Sequence, residues 1–438
     1  MLKLWKNKLR VAFIVIFITI GIATLLNTYA ATNTVNLEPE NSVLSGNLEN
    51  FNDTLASAGS AIRFGSNGVS LEEPSSYDSP LTITSGGTYT GNWQSMDVNN
   101  PAVTINTTQP VVINNSNISG AGAGIEWGVI GVDLTVNNSK FFGKNPNVSG
   151  QTMGRSISLY KPASFVFEHN YLENFAGVYI LEYDGSTGGE LTIRYNKAKN
   201  VNGLHSDGSG GWLNTYGLRQ FVQLNKCYNL GGMELAWNEV INEPYVSQVE
   251  DNISIYQSTG SNASNNYLIH NNFIWGGYPP TDSAVYYGGG IMLGDGFDTK
   301  TPAYIEAYDN VVVGTTNYGI AIANGHDIKA HDNRIVGSGR TSDGASWSAA
   351  NVGFYVWDTA SGSDPNWGNN YQNNTFSRWW RPGPNVRNDW WLPDCQSGEC
   401  TGNSNGQPSG EVTYADEQAE HTSWLSRVQS SGHTIGPQ

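Results

Sequence analysis

The stretch Phe165–Leu172, which reads Phe-Val-Phe-Glu-His-Asn-Tyr-Leu, decides the fold of this chain. Its pattern is apolar, any, apolar, any, any, Asn, any, apolar. Two alternating apolar residues indicate a strand with one buried face. We expect Asn170 to turn the chain, because Asn tolerates left-handed backbone geometry and bonds its neighbouring backbone. The apolar residue two places later then starts the next strand.

The same eight-residue pattern, called the Asn frame below, returns along the chain. Its Asn place is filled at Asn196, Asn238, Asn272, Asn310 and Asn333, by Ser at Ser116 and Ser139, and in a weaker copy at Asn374. One strand cannot bury its face alone, whereas stacked repeats can, and like residues then form columns. Asn stacked on Asn predicts a ladder of side-chain amides. We therefore predict an all-β fold, a single-stranded parallel β-helix (solenoid) with N- and C-terminal caps.

The distances between successive frames indicate where loops leave the stack. The steps are 23, 31, 26, 42, 34, 38, 23 and 41 residues, so a bare coil needs 23 residues. The 42-residue step has room for a degenerate coil around residues 221–228. The surplus lies mostly between Asn196 and Asn310, and loops on a rigid scaffold commonly carry function. We therefore expect the functional site there.

The N-terminus has the pattern of a targeting segment. Four basic residues precede an uncharged, mostly apolar run, Val11–Leu26, and Thr28-Tyr29-Ala30 resembles a cleavage site. Residues 1–30 are therefore predicted to be a secretory signal peptide. The alternative is an uncleaved anchor, for which a run of 16 residues is short. The expected location is extracellular.

Three further segments follow the signal. Residues 31–79 are predicted to form a β-rich leader and linker, 80–378 the parallel β-helix catalytic domain, and 379–438 a Trp-rich C-terminal cap. A short helix is expected at 415–428 within that cap. Residues 31–63 also resemble a piece of a carbohydrate-binding β-sandwich, but they are too few for such a core.

Charge limits the partners. The chain has 22 basic and 38 acidic residues, and loss of the signal leaves 18 basic residues and a formal charge of −20. Such a surface disfavours nucleic acid and anionic membranes. It also makes a strongly anionic substrate less natural, unless a metal or a basic patch intervenes. We expect a monomer that binds a polysaccharide, with no nucleic acid and no membrane as partner after signal cleavage.

The three cysteines fit an oxidising compartment. Cys395 and Cys400 are close enough for a local disulfide, whereas Cys227 lies inside an expected coil and is predicted to be a buried thiol. The chain has no Cys-x-x-Cys pair or His-rich spacing, so a structural zinc is not expected.

Acidic residues gather where the frames are far apart. Six segments with alternating apolar pairs, at 157–161, 179–183, 253–257, 291–295, 320–324 and 354–358, predict a second strand set whose polar and aromatic ends line a groove. A glycosidase needs one carboxyl group to protonate the leaving oxygen and another to activate water or attack carbon. Neighbouring carboxylates raise each other's pKa, which supplies the acid form. The candidate catalytic residues are Glu182, Glu234, Glu250, Asp251 and Asp295.

Each of these carboxylates also has a simpler interpretation. In an acidic protein most carboxylates are solvated or cap turns, and some bind a structural Ca²⁺. No other metal site is predicted. We expect no obligatory cofactor, and Ca²⁺ remains an open candidate.

Aromatic side chains in the loops fit a sugar groove, because pyranose rings stack on aromatic faces. Packing within the loops is the alternative for each of them. The candidate substrate-binding residues are Trp212, Tyr256, Trp275, Tyr286, Tyr287 and Trp357.

A lyase needs a different set of side chains. It abstracts the proton next to a uronate carboxylate, with a cation neutralising that carboxylate. Arg155, Tyr160, Lys161 and His205 are the candidates for this chemistry, and acidic residues could hold Ca²⁺ for it.

The frames and two further segments carry a family resemblance. Residues 249–256 (Val-Glu-Asp-Asn-Ile-Ser-Ile-Tyr) and 288–295 (Gly-Gly-Gly-Ile-Met-Leu-Gly-Asp) resemble the pectin-lyase-like superfamily of secreted β-helix proteins, over about residues 81–376. The resemblance implies a right-handed helix with three parallel sheets and activity on polysaccharides. Of the polygalacturonase motifs, Glu250-Asp251 resembles the paired Asp-Asp and Gly325-His326-Asp327 resembles Gly-His-Gly, while Asn-Thr-Asp is absent. The Arg motif of pectate lyases is not recognisable.

The sequence thus favours one function and leaves two alternatives open. We expect a secreted enzyme that cleaves a cell-wall polysaccharide, as a glycoside hydrolase with paired carboxylates acting on a neutral glycan such as a β-glucan or cellulose. The first alternative is a Ca²⁺-assisted polysaccharide lyase acting by β-elimination on a uronate polymer. The second is a non-catalytic glycan-binding or adhesive solenoid.

Overall fold

Long parallel sheets make up most of the structure. The computed structural model describes residues 48–52, 60–64, 70–280, 287–296, 301–347, 350–360, 366–374, 376–405 and 410–438. The chain divides into two units, 1–65 and 66–438. In the first unit, β1 (Leu48–Asn52) pairs antiparallel with β2 (Ser60–Phe64). The predicted signal peptide lies outside the described residues.

The second unit contains three long sheets, each of which takes one strand from every coil. Sheet I contains β4 (Gly87–Tyr89), β7 (Val111–Asn114), β10 (Asp133–Asn137), β13 (Ser164–Glu168), β16 (Leu191–Arg194), β21 (Glu234–Ala236), β24 (Tyr267–His270), β27 (Ala303–Tyr308), β30 (His326–His331) and β33 (Tyr371–Asn373). Sheet II contains β5 (Asn92–Ser95), β8 (Asn117–Gly120), β11 (Lys140–Gly143), β14 (Tyr171–Glu173), β17 (Lys197–Lys199), β22 (Glu239–Ile241), β25 (Phe273–Gly277), β28 (Val311–Thr315), β31 (Arg334–Gly337), β34 (Phe376–Arg381) and β35 (Val386–Arg387). Sheet III contains β3 (Leu81–Ile83), β6 (Val103–Ile105), β9 (Ile125–Trp127), β12 (Arg155–Tyr160), β15 (Ala176–Leu181), β20 (Val222–Asn225), β23 (Asp251–Tyr256), β26 (Gly289–Asp295), β29 (Tyr318–Ile322), β32 (Val352–Val356) and β36 (Trp390–Trp391). Their strands pair in parallel, except that β35 is antiparallel to β34.

The sheets follow directly from the Asn frame. Phe165 and Phe167 in β13 are fully buried and pair in register with Leu191 and Ile193 of β16. Leu172, the last apolar residue of the frame, lies in β14 of sheet II and is also buried. The frame therefore spans the corner between sheets I and II. Its columns of apolar residues form the core, so the predicted all-β fold with stacked parallel strands is confirmed and is consistent with a solenoid.

The predicted amide ladder is present at this corner. The backbone N–H of Asn170 donates to Oδ1 of Asn196 over 2.9 Å, and Nδ2 of Asn196 donates to Oδ1 of Asn238 over 2.9 Å. The same side-chain bond continues through Asn272 and Asn310 and reaches Asn333 and Asn374. These side chains are fully buried, and a buried amide without partners costs about 1–3 kcal/mol. The ladder thus holds neighbouring coils in one register.

The expectation that the frame Asn itself is left-handed was wrong. The left-handed residue is the one before it, as at His169 (φ 55°), Tyr195 (φ 59°) and Trp237 (φ 55°). A buried Asn must point its amide along the stack, so the preceding residue makes the bend. This explains why that position carries varied side chains, which are partly exposed at His169 and Tyr195 and buried at Trp237.

The 42-residue step does not contain an extra coil. Residues 222–225 form β20, the sheet III strand of a single coil, because β16 pairs directly with β21 and β17 with β22. The surplus is an antiparallel hairpin of β18 (Leu204–Ser206) and β19 (Trp212–Tyr216). The predicted alignment of segment 179–183 was also wrong by one residue, since Ile157 pairs with Val178 rather than Tyr179.

The C-terminal segment divides into two parts. Strands β34 and β36 extend sheets II and III, where the fully buried Trp379 belongs to the core and Trp390, Cys395 and Cys400 pack against it. The sheets therefore extend beyond the predicted boundary at 378. Helix α1 (Tyr414–Ser430) instead lies along the side of sheet II, where Trp424 and Val428 pack on Phe273, Val311 and Val313.

The cysteine predictions are confirmed. Cys395 and Cys400 form a disulfide with their Cα atoms 6.0 Å apart, and Cys227 is a buried free thiol. Burial raises the pKa of the Cys227 thiol to about 12, so this residue behaves as a core side chain. Within the described residues, no helix has the length and apolar character needed to cross a membrane.

Candidate functional site

A cleft of about 600 Å³ lies on the outer face of sheet III. Met292, Ala321, Tyr355 and Trp391 are paired across β26, β29, β32 and β36. They alternate with core residues such as Ile291, so they face outward. The cleft therefore runs along the stack, across successive coils.

Three acidic residues line one end of this cleft: Glu250, Asp251 and Asp295. Asp251 begins β23 and Asp295 ends the neighbouring strand β26. The pairing of these strands is irregular between Ser254 and Tyr256, so that Asp295 comes opposite Tyr256. Bulges of this kind re-aim side chains and are frequent beside active sites.

Asp251 is held in a nearly closed environment. Asp251 is only 6% exposed, and its Oδ1 accepts a hydrogen bond from the hydroxyl of Tyr318. A Cβ atom on Gly289 would lie 2.6 Å from that hydroxyl oxygen, so only glycine leaves room for this contact. Burial raises the pKa of Asp251 well above its usual range, and the charges of Glu250 and Asp295 raise it further.

Glu250 is oriented by a chain of buried amide and guanidinium groups. Nε2 of Gln220 donates to Oε2 of Glu250 over 2.6 Å, and Nη2 of Arg155 donates to Oε1 of Gln220 over 3.1 Å. Burial and the charge of Asp295 raise the pKa of Glu250, whereas Gln220 and Arg155 oppose this rise. The buried Arg155 has a pKa lowered to about 9, mainly by burial and by the nearby Arg219.

Asp295 completes the acidic group. Burial raises its pKa, and the backbone N–H of Gly296 partly offsets this effect. The pKa of Tyr355 is also raised, first by burial and then by the charges of Asp251 and Asp295. Tyr355 is therefore close to both carboxyl groups. An arrangement of this kind favours one protonated and one ionised carboxyl group, the pair that glycoside hydrolysis requires.

The other end of the cleft is aromatic and polar, and Arg381 is a further lining residue. Trp357 and Trp391 are 39% and 46% exposed, with their ring centroids 5.2 Å apart. Asn317, Asn351 and Asn388 line one side. Nδ2 of Asn388 donates to the carbonyl of Asn351 over 2.8 Å, which fixes this polar edge. The cleft thus combines acids, amides and open aromatic faces, as carbohydrate sites do.

Two of the predicted acids lie elsewhere. Glu182 follows β15 and approaches Lys161, with 3.1 Å between Oε2 and Nζ, in a separate pocket of about 720 Å³. Glu234 lies on sheet I, paired with Arg194 over 2.6 Å and His270 over 3.0 Å. The hydrogen bond from His270 is the largest influence that lowers the pKa of Glu234 to about 2. The geometry therefore separates both residues from the three cleft acids.

The predicted aromatic residues are also dispersed. Among the described residues of this set, Trp357 alone lines the cleft. Tyr256 lies beside Gly296 at its edge, and the ring of Tyr287 contacts Tyr216 with centroids 4.8 Å apart. Trp212 lies in the β18–β19 hairpin, and Trp275 packs against Tyr414 of α1 with centroids 5.6 Å apart. Tyr286 lies outside the described residues.

The residues considered for a lyase do not come together. Arg155 bonds to Gln220, the partner of Glu250, whereas Nδ1 of His205 is 2.9 Å from Oγ1 of Thr215 in the hairpin. Tyr160 and Lys161 are near Glu182 instead, and the hydroxyl of Tyr160 donates to Oε2 of Glu182 over 3.4 Å. Among the described residues, no group of three or more His, Cys, Asp or Glu side chains could hold a metal ion. This gives no support to the Ca²⁺ candidate.

Sequence reasoning did not identify Gln220, Tyr318, Tyr355 and Trp391 as site residues. Tyr355 and Trp391 could have been found from the alternation of apolar and other residues in the outer strands. Nothing in the sequence around Tyr318 indicates its role, because that role depends on a contact between β29 and β23, which are separated by β26. Comparisons of the chain with protein-family models, curated proteins and solved structures found no match.

Proposed function

We propose that this protein is a secreted glycoside hydrolase that cleaves a neutral cell-wall polysaccharide, with a right-handed β-helix of the pectin-lyase-like type. The observation that carries the proposal is the group of three acids at one end of an aromatic cleft, of which Asp251 is buried and Glu250 and Asp295 are partly buried, and whose pKa values are all raised. The chain has many other carboxylates on its surface, and these are more exposed than the three acids of the cleft. The proposal also takes the protein to act as a monomer.

The acids have different roles in this proposal. Asp251 is the most buried and is the general acid, since burial and two neighbouring charges favour its protonated form. Asp295, on the adjacent strand, is the carboxylate that activates water or attacks carbon. The charge of Glu250 favours the protonated form of Asp251. The hydrogen bond from Gln220 holds the Glu250 side chain in place.

The charge of the cleft favours a neutral substrate over a uronate polymer. Three acids face one basic lining residue, Arg381, whose Nε donates to the carbonyl of Ala350 over 3.2 Å. A uronate carboxylate near the acids would meet repulsion, which costs more in a poorly solvated cleft. Sugar hydroxyls can instead bond with the amides and stack on the tryptophans.

A polysaccharide panel scored for two products tests the reaction class. With β-glucans as substrates we expect new reducing ends without the ultraviolet absorbance of unsaturated sugars. Absorbance that rises with polygalacturonate would establish the lyase alternative, and retention of a glycan without cleavage would establish the binding alternative.

Matched variants test the site. Asp251→Asn and Asp295→Asn should each lower kcat at least 100-fold, the usual scale for loss of a general acid or base. Glu250→Gln should also lower kcat, because it removes a charge that favours the protonated form of Asp251. Glu182→Gln and Glu234→Gln serve as controls outside the cleft and should keep kcat within about twofold, because neither approaches the reacting bond. Full activity in all three cleft variants would show that the site is wrong.

A further inference from the structure

Trp357 and Trp391 differ from the other tryptophans that the structure describes, because only these two are exposed. Exposed fractions of 39% and 46% leave large apolar faces in water. Burying such a side chain stabilises by about 1.5–3 kcal/mol, so this exposure has a cost that a ligand could recover. Both faces border the cleft.

The local structure holds these rings in place without covering them. Trp390 packs on Phe354 with centroids 5.8 Å apart, and strand alternation therefore turns Trp391 outward. The planes of Trp357 and Trp391 meet at 53°, so the rings form a corner rather than a stack. Tyr355 contacts Trp391 and Trp357 with centroids 6.2 and 6.4 Å away. The corner is thus preformed and open on the side of the cleft.

The distance to the acids sets the length of ligand that the cleft fits. Asp251 lies in β23 and Trp391 in β36, four strand positions away in sheet III. At about 4.8 Å per strand, this is about 19 Å along the stack, which spans several sugar units. Between them, Met292 and Tyr355 line the cleft, and the buried Ala321 is paired between these two residues.

The acid end of the cleft is bordered by other aromatic rings. Tyr216, from the β18–β19 hairpin, contacts Tyr287. The pKa of Tyr216 is raised, first by burial, then by Tyr287 and by the charge of Glu250. The hairpin therefore lies close to Glu250, and among the described residues the lining of the cleft continues from the acids to Trp391.

We propose that Trp357 and Trp391 form a distal subsite that holds one sugar ring of a neutral, linear glycan several units away from the bond that is cleaved. The sugar stacks in the corner of the two indole rings, while Asn351 and Asn388 accept and donate hydrogen bonds at its edge. This inference rests on the proposed function, because it takes the acids as the cleavage point. It predicts that chain length, and not only sugar identity, determines productive binding.

The test compares oligosaccharides of three and six sugars from the cello- and laminari-series. With the six-sugar compounds, Trp391→Ala and Trp357→Ala should lower kcat/KM at least tenfold, mainly through KM. With three-sugar compounds, which cannot reach from the acids to the subsite, the change should stay within twofold. Tyr245→Ala is the control, because Tyr245 is 67% exposed and stacks on Trp347 outside the cleft. Trp391→Phe should recover part of the loss.

A calorimetric titration of the Asp251→Asn variant with the same six-sugar compounds separates the subsite from the proposed reaction. Weaker binding upon Trp391→Ala in this background supports the subsite, even where the wild-type protein cleaves nothing and the hydrolase proposal fails. Equal effects of the Trp variants on three and six sugars would overturn the subsite while leaving hydrolysis intact. Absence of binding of both six-sugar compounds would overturn it as well.

Discussion

The hydroxyl of Tyr318 donates a hydrogen bond to Oδ1 of Asp251, although the two residues are 67 positions apart in the chain. Tyr318 begins β29 and Asp251 begins β23, so the bond passes across β26, which lies between them. At the crossing point, β26 has Gly289, which is paired with Asp251. This contact links Asp251, the most buried acid of the cleft, to β29, which lies two strand positions away in sheet III.

Removal of the Tyr318 hydroxyl should change the pH dependence of activity. The hydrogen bond lowers the pKa of Asp251, although burial keeps that pKa raised overall. In Tyr318→Phe the pKa therefore rises, and Asp251 stays protonated to higher pH. If Asp251 is the general acid, the alkaline limb of kcat against pH should move up by as much as about one pH unit. Tyr355→Phe is the matched control, because no hydrogen bond joins its hydroxyl to Asp251. A shift toward lower pH would contradict the assigned role.

Substitution Gly289→Ala should break the same contact by steric means. Its Cβ would lie 2.6 Å from the hydroxyl oxygen of Tyr318, and also against Oδ1 of Asp251. We expect a loss of about 1–3 kcal/mol in the free energy of unfolding, as is usual for an overpacked site, and a strong fall in kcat. Gly383→Ala is the control, since its Cβ would meet nothing within 4 Å. Wild-type activity in Gly289→Ala would show that the contact is dispensable.

Substitution Asp251→Asn should stabilise the protein while abolishing activity. The folded pKa of Asp251 is raised, so its contribution to stability is present at pH values below about 4 and is lost as pH rises through the folded pKa. Asn keeps an oxygen that accepts from Tyr318 but carries no charge. At pH 8 the unfolding temperature of the variant should exceed that of wild type by about 1–3 °C. The difference should vanish near pH 3, and a variant that is less stable at pH 8 would refute this expectation.

Helix α1 should be held more weakly at alkaline pH. Oε1 of Glu417 accepts a 2.6 Å hydrogen bond from the backbone N–H of Ser338, and burial raises the pKa of this carboxyl from 4.5 to about 7. Its contribution is therefore present below pH 4.5 and is lost as pH rises through 7. The cost by pH 8 is about 3 kcal/mol.

Hydrogen exchange in residues 414–430, corrected for its intrinsic pH dependence, measures this effect. Protection in the wild type should fall between pH 5 and pH 8, and Glu417→Gln should remove most of the fall. Glu411→Gln changes an exposed ion pair with Arg340 and should leave the profile as it is. Equal pH dependence in the wild type and Glu417→Gln would rule out this carboxyl as the cause.

Loss of one amide from the Asn ladder should lower the free energy of unfolding of the stacked sheets. Asn272 accepts from the N–H and Nδ2 of Asn238 and donates to the carbonyl of Leu235 and to Oδ1 of Asn310, over 2.9–3.0 Å. Asn272→Ala leaves these buried partners unpaired and should cost about 3 kcal/mol or more in the free energy of unfolding. In denaturant titrations, Ser139→Ala should cost only about 1 kcal/mol, because Ser139 makes fewer such bonds. Similar costs would mean that the amides are not what holds the register.

The fold was predictable because its signal is repeated. Each Asn frame carries the same apolar positions and the same buried polar position, so every copy supports the same interpretation. The local bend was assigned one residue too late, since a side chain that must hydrogen-bond along the stack cannot also take the strained backbone position. The possible extra coil near Phe221 was inferred from the length of the 42-residue step alone, and length does not distinguish a coil from an inserted hairpin.

The candidate site was predictable only in part. The acidic pair Glu250-Asp251 and Asp295 were identified because they adjoin aligned strands. Glu182 and Glu234 have equally suggestive sequence neighbours, yet they lie on other surfaces. Which carboxylates share a cleft depends on the register between β23 and β26, and a one-residue irregularity there changes the direction of Asp295.

The sequence by itself determined the stacked parallel strands, the buried amide ladder and the closeness of Cys395 to Cys400, because these depend on short-range patterns that repeat or lie close in the chain. Tertiary structure alone decided that Tyr318 meets Asp251 over Gly289 and that Trp391 opens onto the same cleft. The physical reason is that such contacts form between coils. The number of residues between neighbouring strands varies with loop length, while their separation in space stays at one strand spacing.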